Sequence, residues 1–98
     1  MTPDEARKLS DSWKEKRLEE ARIIEDNNFE LFKTINYPIL QVRIETAAKE
    51  GLRQTSLGTT EIKGATTSFV ENRIVPFLEE EGWGVTILME GKRINVDW

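Results

Sequence analysis

The run Glu79-Glu80-Glu81 is the first place to look for chemistry. Grouped carboxylates hold divalent cations, but consecutive helical positions point about 100° apart and do not converge on one ion. The run therefore reads as a solvated helix end, mildly opposed by the helix dipole, which favours cations there. Gly58-Thr-Thr-Glu-Ile-Lys-Gly64 offers glycines and a lysine, as phosphate-binding loops do. Such a loop needs its lysine after the second glycine and a helix opening behind it. Here Lys63 precedes Gly64 and Ala65 follows, so the segment reads as a strand and its turn. Trp13, Trp83, Trp98 and Tyr37 are candidate stacking platforms for bases. The net charge of −4 and the lack of a basic stripe argue against a nucleic-acid partner. Arg53, Lys92 and Arg93 are the cations near the expected sheet, and with Trp13 they are the candidate binding residues. Asp4-Glu5, Asp11 and Asp97 are isolated carboxylates, and no catalytic pair is recognisable among them.

The absences restrict the chemistry further. The chain has no cysteine and no histidine. Disulfides, thiolate metal sites and serine–histidine or cysteine–histidine nucleophile systems are excluded. Carboxylate and lysine catalysis stay open in principle, but nothing resembles an active site. The expectation is a non-enzymatic protein without cofactor or metal.

The elements that would position these residues begin at Thr2-Pro3-Asp4-Glu5. Thr2 is an N-cap, Pro3 fits the first helical position, and Glu5 completes a capping box. From there to about Asp26 both signs of charge are dense. The apolar residues Ala6, Leu9, Trp13, Ala21 and Ile24 make only a thin stripe. This predicts a mostly solvated helix laying one narrow face on its own domain or on a neighbouring copy. Trp13 is its contact anchor, within the molecule or between molecules. Asn27-Asn28 is a possible break. Beyond it Phe29, Phe32, Ile35, Ile39, Val42 and Thr46 recur at three- and four-residue spacing, widened by Leu31, Leu40, Ile44 and Ala47, and predict the main core helix. Pro38 should kink that helix or restart it near Tyr37, and Gly51 should stop it. Whether residues 3 to 50 form one kinked helix or two is open at this stage.

A threonine-rich strand is predicted within Arg53–Lys63, bent at Gly58. A helix follows from Thr67 or Ser68, with Ser68-x-x-Glu71 as a capping box. It has Phe69, Val70, Ile74, Phe77 and Leu78 on its apolar face, a bend at Pro76 and a stop at Gly82. The last sixteen residues alternate. A hairpin closing at Glu90-Gly91 pairs Met89 with Lys92, Ile87 with Ile94, Val85 with Val96 and Trp83 with Trp98, putting every large apolar residue except Leu88 on one face. Trp83 and Trp98 then read as a core-facing cross-strand pair. The fold class is α+β: two N-terminal helices, then strand, helix and hairpin forming a small three-stranded sheet, antiparallel or mixed, with helices on one face. The whole chain, 1–98, reads as a single domain, with 1–26 a peripheral or intersubunit helix and 27–98 the core. A core this small leaves little stability margin, which favours a homo-oligomer. No apolar run reaches the roughly 18 residues a membrane span needs, and the polar, acidic start is unlike a secretory leader. A reducing cytoplasm is the expected compartment.

Ile44-x-x-Ala47-Ala48-x-x-Gly51, the threonine-rich strand, Leu78-Glu-Glu-Glu-Gly82-Trp83-x-Val85 and the closing Ile94-x-Val96-x-Trp98 together resemble a pattern in small bacteriophage-encoded accessory proteins. The resemblance covers most of the chain, though Trp83 stands where tyrosine is commoner. Its motifs are structural, and it brings no catalytic or ligand residue with it. It implies a viral interaction protein in the host cytoplasm that binds and inhibits a host protein, one of a defence system. Two other readings stand beside it. One is an oligomeric sponge for a nucleotide-like signal, with Arg53, Lys92 or Arg93 near the phosphates. The other is a virion or assembly component.

Overall fold

Half of the molecule is a single rod. A computed structural model describes residues 1–98. It places α1 at Pro3–Leu31, a π-helical turn at Phe32–Asn36 and α2 at Tyr37–Lys49, joined end to end. The capping box forms: the Glu5 amide donates to Thr2 Oγ1 at 3.2 Å and the Thr2 amide to Glu5 Oε2 at 3.4 Å. Asn27 and Asn28 do not break the helix. Asn28 packs against Gly64, so a tertiary contact outweighs the weak helix propensity of the pair. At the far end Gly51 takes φ +82° and the Leu52 amide returns to the Ala47 carbonyl, the six-to-one bond of a Schellman stop.

The π turn corrects the expected core stripe. Phe32, Asn36, Leu40, Ile44 and Ala47 are buried, whereas Ile35, Ile39 and Val42 face outward. Inside the wider turn the inward position after Phe32 falls on Asn36 rather than Ile35. Every later inward position moves on accordingly. Asn36 is satisfied in the core by donating its Nδ2 to the Glu61 carbonyl at 2.9 Å.

After the rod come β1 (Gln54–Gly58) and a short 3-10 turn (Thr59–Glu61). A second, shorter helix follows in three pieces: α3 (Thr67–Phe69), a π turn (Val70–Ile74) and α4 (Val75–Glu80). Its cap is Thr66, whose Oγ1 accepts the Phe69 amide at 3.1 Å, so the helix starts two residues earlier than a Ser68 capping box would place it. β2 (Gly84–Leu88) and β3 (Arg93–Asp97) complete an all-antiparallel sheet of order β1-β3-β2.

The hairpin register is as expected, with Ile87 opposite Ile94 and Val85 opposite Val96. The Lys92 amide donates to the Met89 carbonyl at 3.2 Å, and Glu90 and Gly91 both take positive φ, as a type I′ turn demands. Met89 departs from expectation. It also takes positive φ and lies 66% exposed instead of joining the apolar face.

α2 and the second helix cover one face of the sheet, burying Leu57, Ile62, Phe69, Val70, Ile74, Leu78, Ile94 and Val96 with Phe32, Leu40 and Ile44. Each such fully buried side chain contributes about 1.5–3 kcal/mol. Phe29, Phe32, Tyr37 and Phe77 form an aromatic cluster under the rod, mostly with edge-on contacts. The Trp83 indole N–H donates to the Tyr37 hydroxyl at 3.1 Å, and Trp83 meets Trp98 edge-on with centroids 6.1 Å apart. The other sheet face carries Gln54, Ser56, Arg93, Asn95 and Asp97 and has no helix over it. No helix is long and apolar enough to cross a membrane.

Candidate functional site

Two surfaces remain after the core is satisfied: the N-terminal part of the rod and a polar cleft on the head. The molecule measures 69 × 24 × 22 Å because α1 runs past the head. Ala21 and Ile24 are the first residues to lie beside the 64–69 loop. Residues 3–20 make no hydrogen bond or ion pair outside their own helix, and α1 buries no residue. Eighteen helical residues amount to a projecting arm of about 27 Å. Helices of this length are marginal in water on propensity alone and draw stability from packing one face. The arm offers Leu9, Trp13 and Leu18, all well exposed, with Trp13 at 52%, and exposed Ile23 and Ile24 follow at its base. The Lys16 ammonium lies over the Trp13 ring, 4.9 Å from its centroid, and the residues that share a surface hollow with Trp13 (Ser10, Lys14, Arg17 and Leu18) all belong to its own helix. Of the two placements open for Trp13, packing against its own domain is not the one observed.

Where the arm joins the head, its direction is pinned. Arg73 from the second helix reaches Glu25 at 3.3 Å and Asp26 at 2.8 Å while its guanidinium lies over the Phe29 ring.

The cleft, of about 530 Å³, lies at the Gly58 end of β1. Ser56 ties two guanidinium groups together: Arg43 donates to its carbonyl at 3.4 Å and Arg93 to its hydroxyl at 2.8 Å. Arg43 also holds Glu61 through both terminal nitrogens, at 3.3 and 3.2 Å, whereas Arg93 has no ion-pair partner. Gly58 leaves room at the centre. A Cβ there would meet Thr60 Oγ1, Arg93 Nη1 and Glu61 Oε2 at 3.7–4.0 Å. Two guanidinium groups, one carboxylate and hydroxyls can hold a polar or anionic group.

The candidates Arg53, Lys92 and Arg93 are not brought together. Arg93 sits opposite Gly58, while Arg53 lies beyond the other end of β1, where its carbonyl accepts the Trp98 amide. Lys92 is exposed in the hairpin turn. Arg43 was not legible as a site residue, because an arginine next to the core position Ile44 reads as ordinary helix surface. Glu79, Glu80 and Glu81 are exposed, and no three acidic side chains converge anywhere. No family model matches the chain, and neither curated proteins nor solved structures give a match.

Proposed function

We propose that the chain is a non-enzymatic binding protein that works by docking its helical arm onto another protein. The observation that supports this is the arm itself: a capped helix running clear of the head, with Trp13 half exposed and unused by the fold. Large aromatics of this kind anchor interfaces. With the resemblance to small phage accessory proteins, the partner is a host protein in the cytoplasm, inhibited by occupation of its surface. The experiment is photo-crosslinking from a probe at position 14, beside Trp13, in host cells. A host protein captured by the wild-type arm and lost on Trp13→Ala supports the reading. Capture that survives the substitution, or none at all, refutes it.

A second reading draws on the cleft. Arg43, Arg93 and the Ser56 and Thr60 hydroxyls suit an anionic group such as the phosphate of a nucleotide-like signal, which an oligomer would sequester. Thermal-shift measurements across a nucleotide panel test it, and a shift abolished by Arg93→Ala is the expected result.

A further inference from the structure

We infer that the outer face of the arm takes a second copy of this chain in antiparallel orientation, with the two-fold axis at the level of Leu18. The inference rests on the reading of the arm as a docking element and names one of its partners. It starts from where the side chains fall. Counting back from α2 at about 100° per residue, with the π turn absorbing one extra residue, puts Leu9, Trp13, Lys16, Glu20, Ile23 and Asn27 on one line. That line continues the outward face of Ile35 and Val42, opposite buried Phe32, Leu40 and Ile44. All six residues are exposed, and their 4-3-4-3-4 spacing is that of a helix-pairing seam.

The seam is charged in the middle, with Leu9 and Trp13 on one side of the charges and Ile23 and then polar Asn27 on the other, and the order of the charges chooses the partner. In a parallel pair Lys16 would face Lys16 and Glu20 would face Glu20, like charges opposed inside the contact. Reversing one copy about Leu18 places Lys16 opposite Glu20 and Glu20 opposite Lys16. The same register puts Trp13 opposite Ile23 at both ends and Leu9 opposite Asn27. The Lys16 ammonium lies over the Trp13 ring, on the seam, within a side-chain rotation of the facing Glu20. Charges within a seam commonly set orientation and register in this way. The head presents no obstacle, because it packs on the opposite side of the rod. The two heads end up at opposite ends of the pair. Ile39 and Val42 lie beyond the reach of the partner's N-terminus. An antiparallel pair leaves them open, whereas a parallel one would cover them.

The test uses the full chain, and since residues 3–20 make no hydrogen bond or ion pair with the head and Ile23 is exposed, substitutions at positions 13, 16, 20 and 23 leave the fold intact. Sedimentation across a concentration series is expected to show a dimer. Lys16→Glu creates two Glu–Glu oppositions and should raise the dimer Kd by about tenfold or more, and adding Glu20→Lys should restore it. The chain has no cysteine of its own. The Trp13→Cys, Ile23→Cys double variant should therefore oxidise to a covalent dimer. Within one helix those positions are about 15 Å apart, too far for an internal disulfide. Trp13→Cys alone should not cross-link, because the two copies of that position are also about 15 Å apart in the antiparallel register. A monomer at every concentration, a charge swap that fails to rescue, or cross-linking by Trp13→Cys alone overturns the inference. A monomer whose arm still captures a host protein overturns it while leaving the proposed function standing. A dimer whose arm captures nothing else does the reverse.

Discussion

Gly64→Ala tests how the rod sits on the head. Gly64 takes φ +73°, in the left-handed region. An alanine there costs about 1–2 kcal/mol in backbone energy alone. The new Cβ would also collide with Asn28 Nδ2 and stand 3.1 Å from Asn28 Cγ, so the carboxamide at the base of the arm must move. The close atoms are the far end of a half-buried side chain with no hydrogen bond, so moving them adds no more than about 1 kcal/mol, giving a total of about 2–3 kcal/mol. The two contributions separate in a double-mutant cycle with Asn28→Ala. Asn28 Cβ lies at an ordinary 3.6 Å, so truncation removes the clash and leaves the backbone cost. Gly64→Ala should then cost about 1–2 kcal/mol in the Asn28→Ala background, a coupling near 1 kcal/mol. Urea unfolding followed by tryptophan fluorescence measures all four corners, and thermal midpoints give the same ranking at about 4–8 °C per kcal/mol for a domain this size. An identical cost in both backgrounds would refute the contact between Asn28 and the 64–69 loop, and with it the direction of the arm.

Three further outcomes follow from particular residues. Glu90 holds φ 57° in the first central position of a type I′ turn, so Glu90→Asn should stabilise by about 0.5–1 kcal/mol, read as a higher thermal midpoint. Arg73→Met removes the guanidinium from Phe29 as well as from Glu25 and Asp26; the partly exposed contacts make this worth about 1 kcal/mol at low salt, and the difference from wild type should shrink as salt rises. Removing Thr34 together with Pro38→Ala should convert the first π turn to α-helix and keep both halves of the rod in phase, whereas removing Gln41 rotates Leu40 away from Ile44 and should unfold the head, as circular dichroism would show.

What was legible in the sequence was local. The Thr2–Glu5 capping box, the Gly51 stop and the hairpin register each depend on residues a few positions apart, and each formed. The strand pairing completed what patterning alone left open, since alternation does not say that β1 joins β3 rather than β2. The Thr66 cap lies two residues before the expected one because Ser68-x-x-Glu71 matches a capping box and Thr66-x-x-Phe69 does not. The cleft was mostly illegible. Arg43, Ser56 and Arg93 meet only because α2 crosses the edge of β1, and no spacing in the sequence encodes that crossing.

The two interior prolines explain the largest difference between the expected and observed rod. Each stands six residues after the start of a π turn, Pro38 after Phe32 and Pro76 after Val70. In each case the residue before the proline donates its amide five residues back, Tyr37 to Phe32 and Val75 to Val70. A proline inside a helix has no amide to donate and presses its ring on the preceding turn. Widening that turn by one residue is one way to relieve both faults, and the same solution appears in both helices. In the rod it has a second effect. The extra residue rotates everything N-terminal to it, so Asn28 and Glu25 meet the head while the line from Leu9 to Asn27 turns outward. The sequence pattern of α1 and the sequence pattern of α2 are each helical, and only the turn between them decides which face of the arm is free. Pro38, far from Trp13 in the chain, thereby selects the surface that the arm presents.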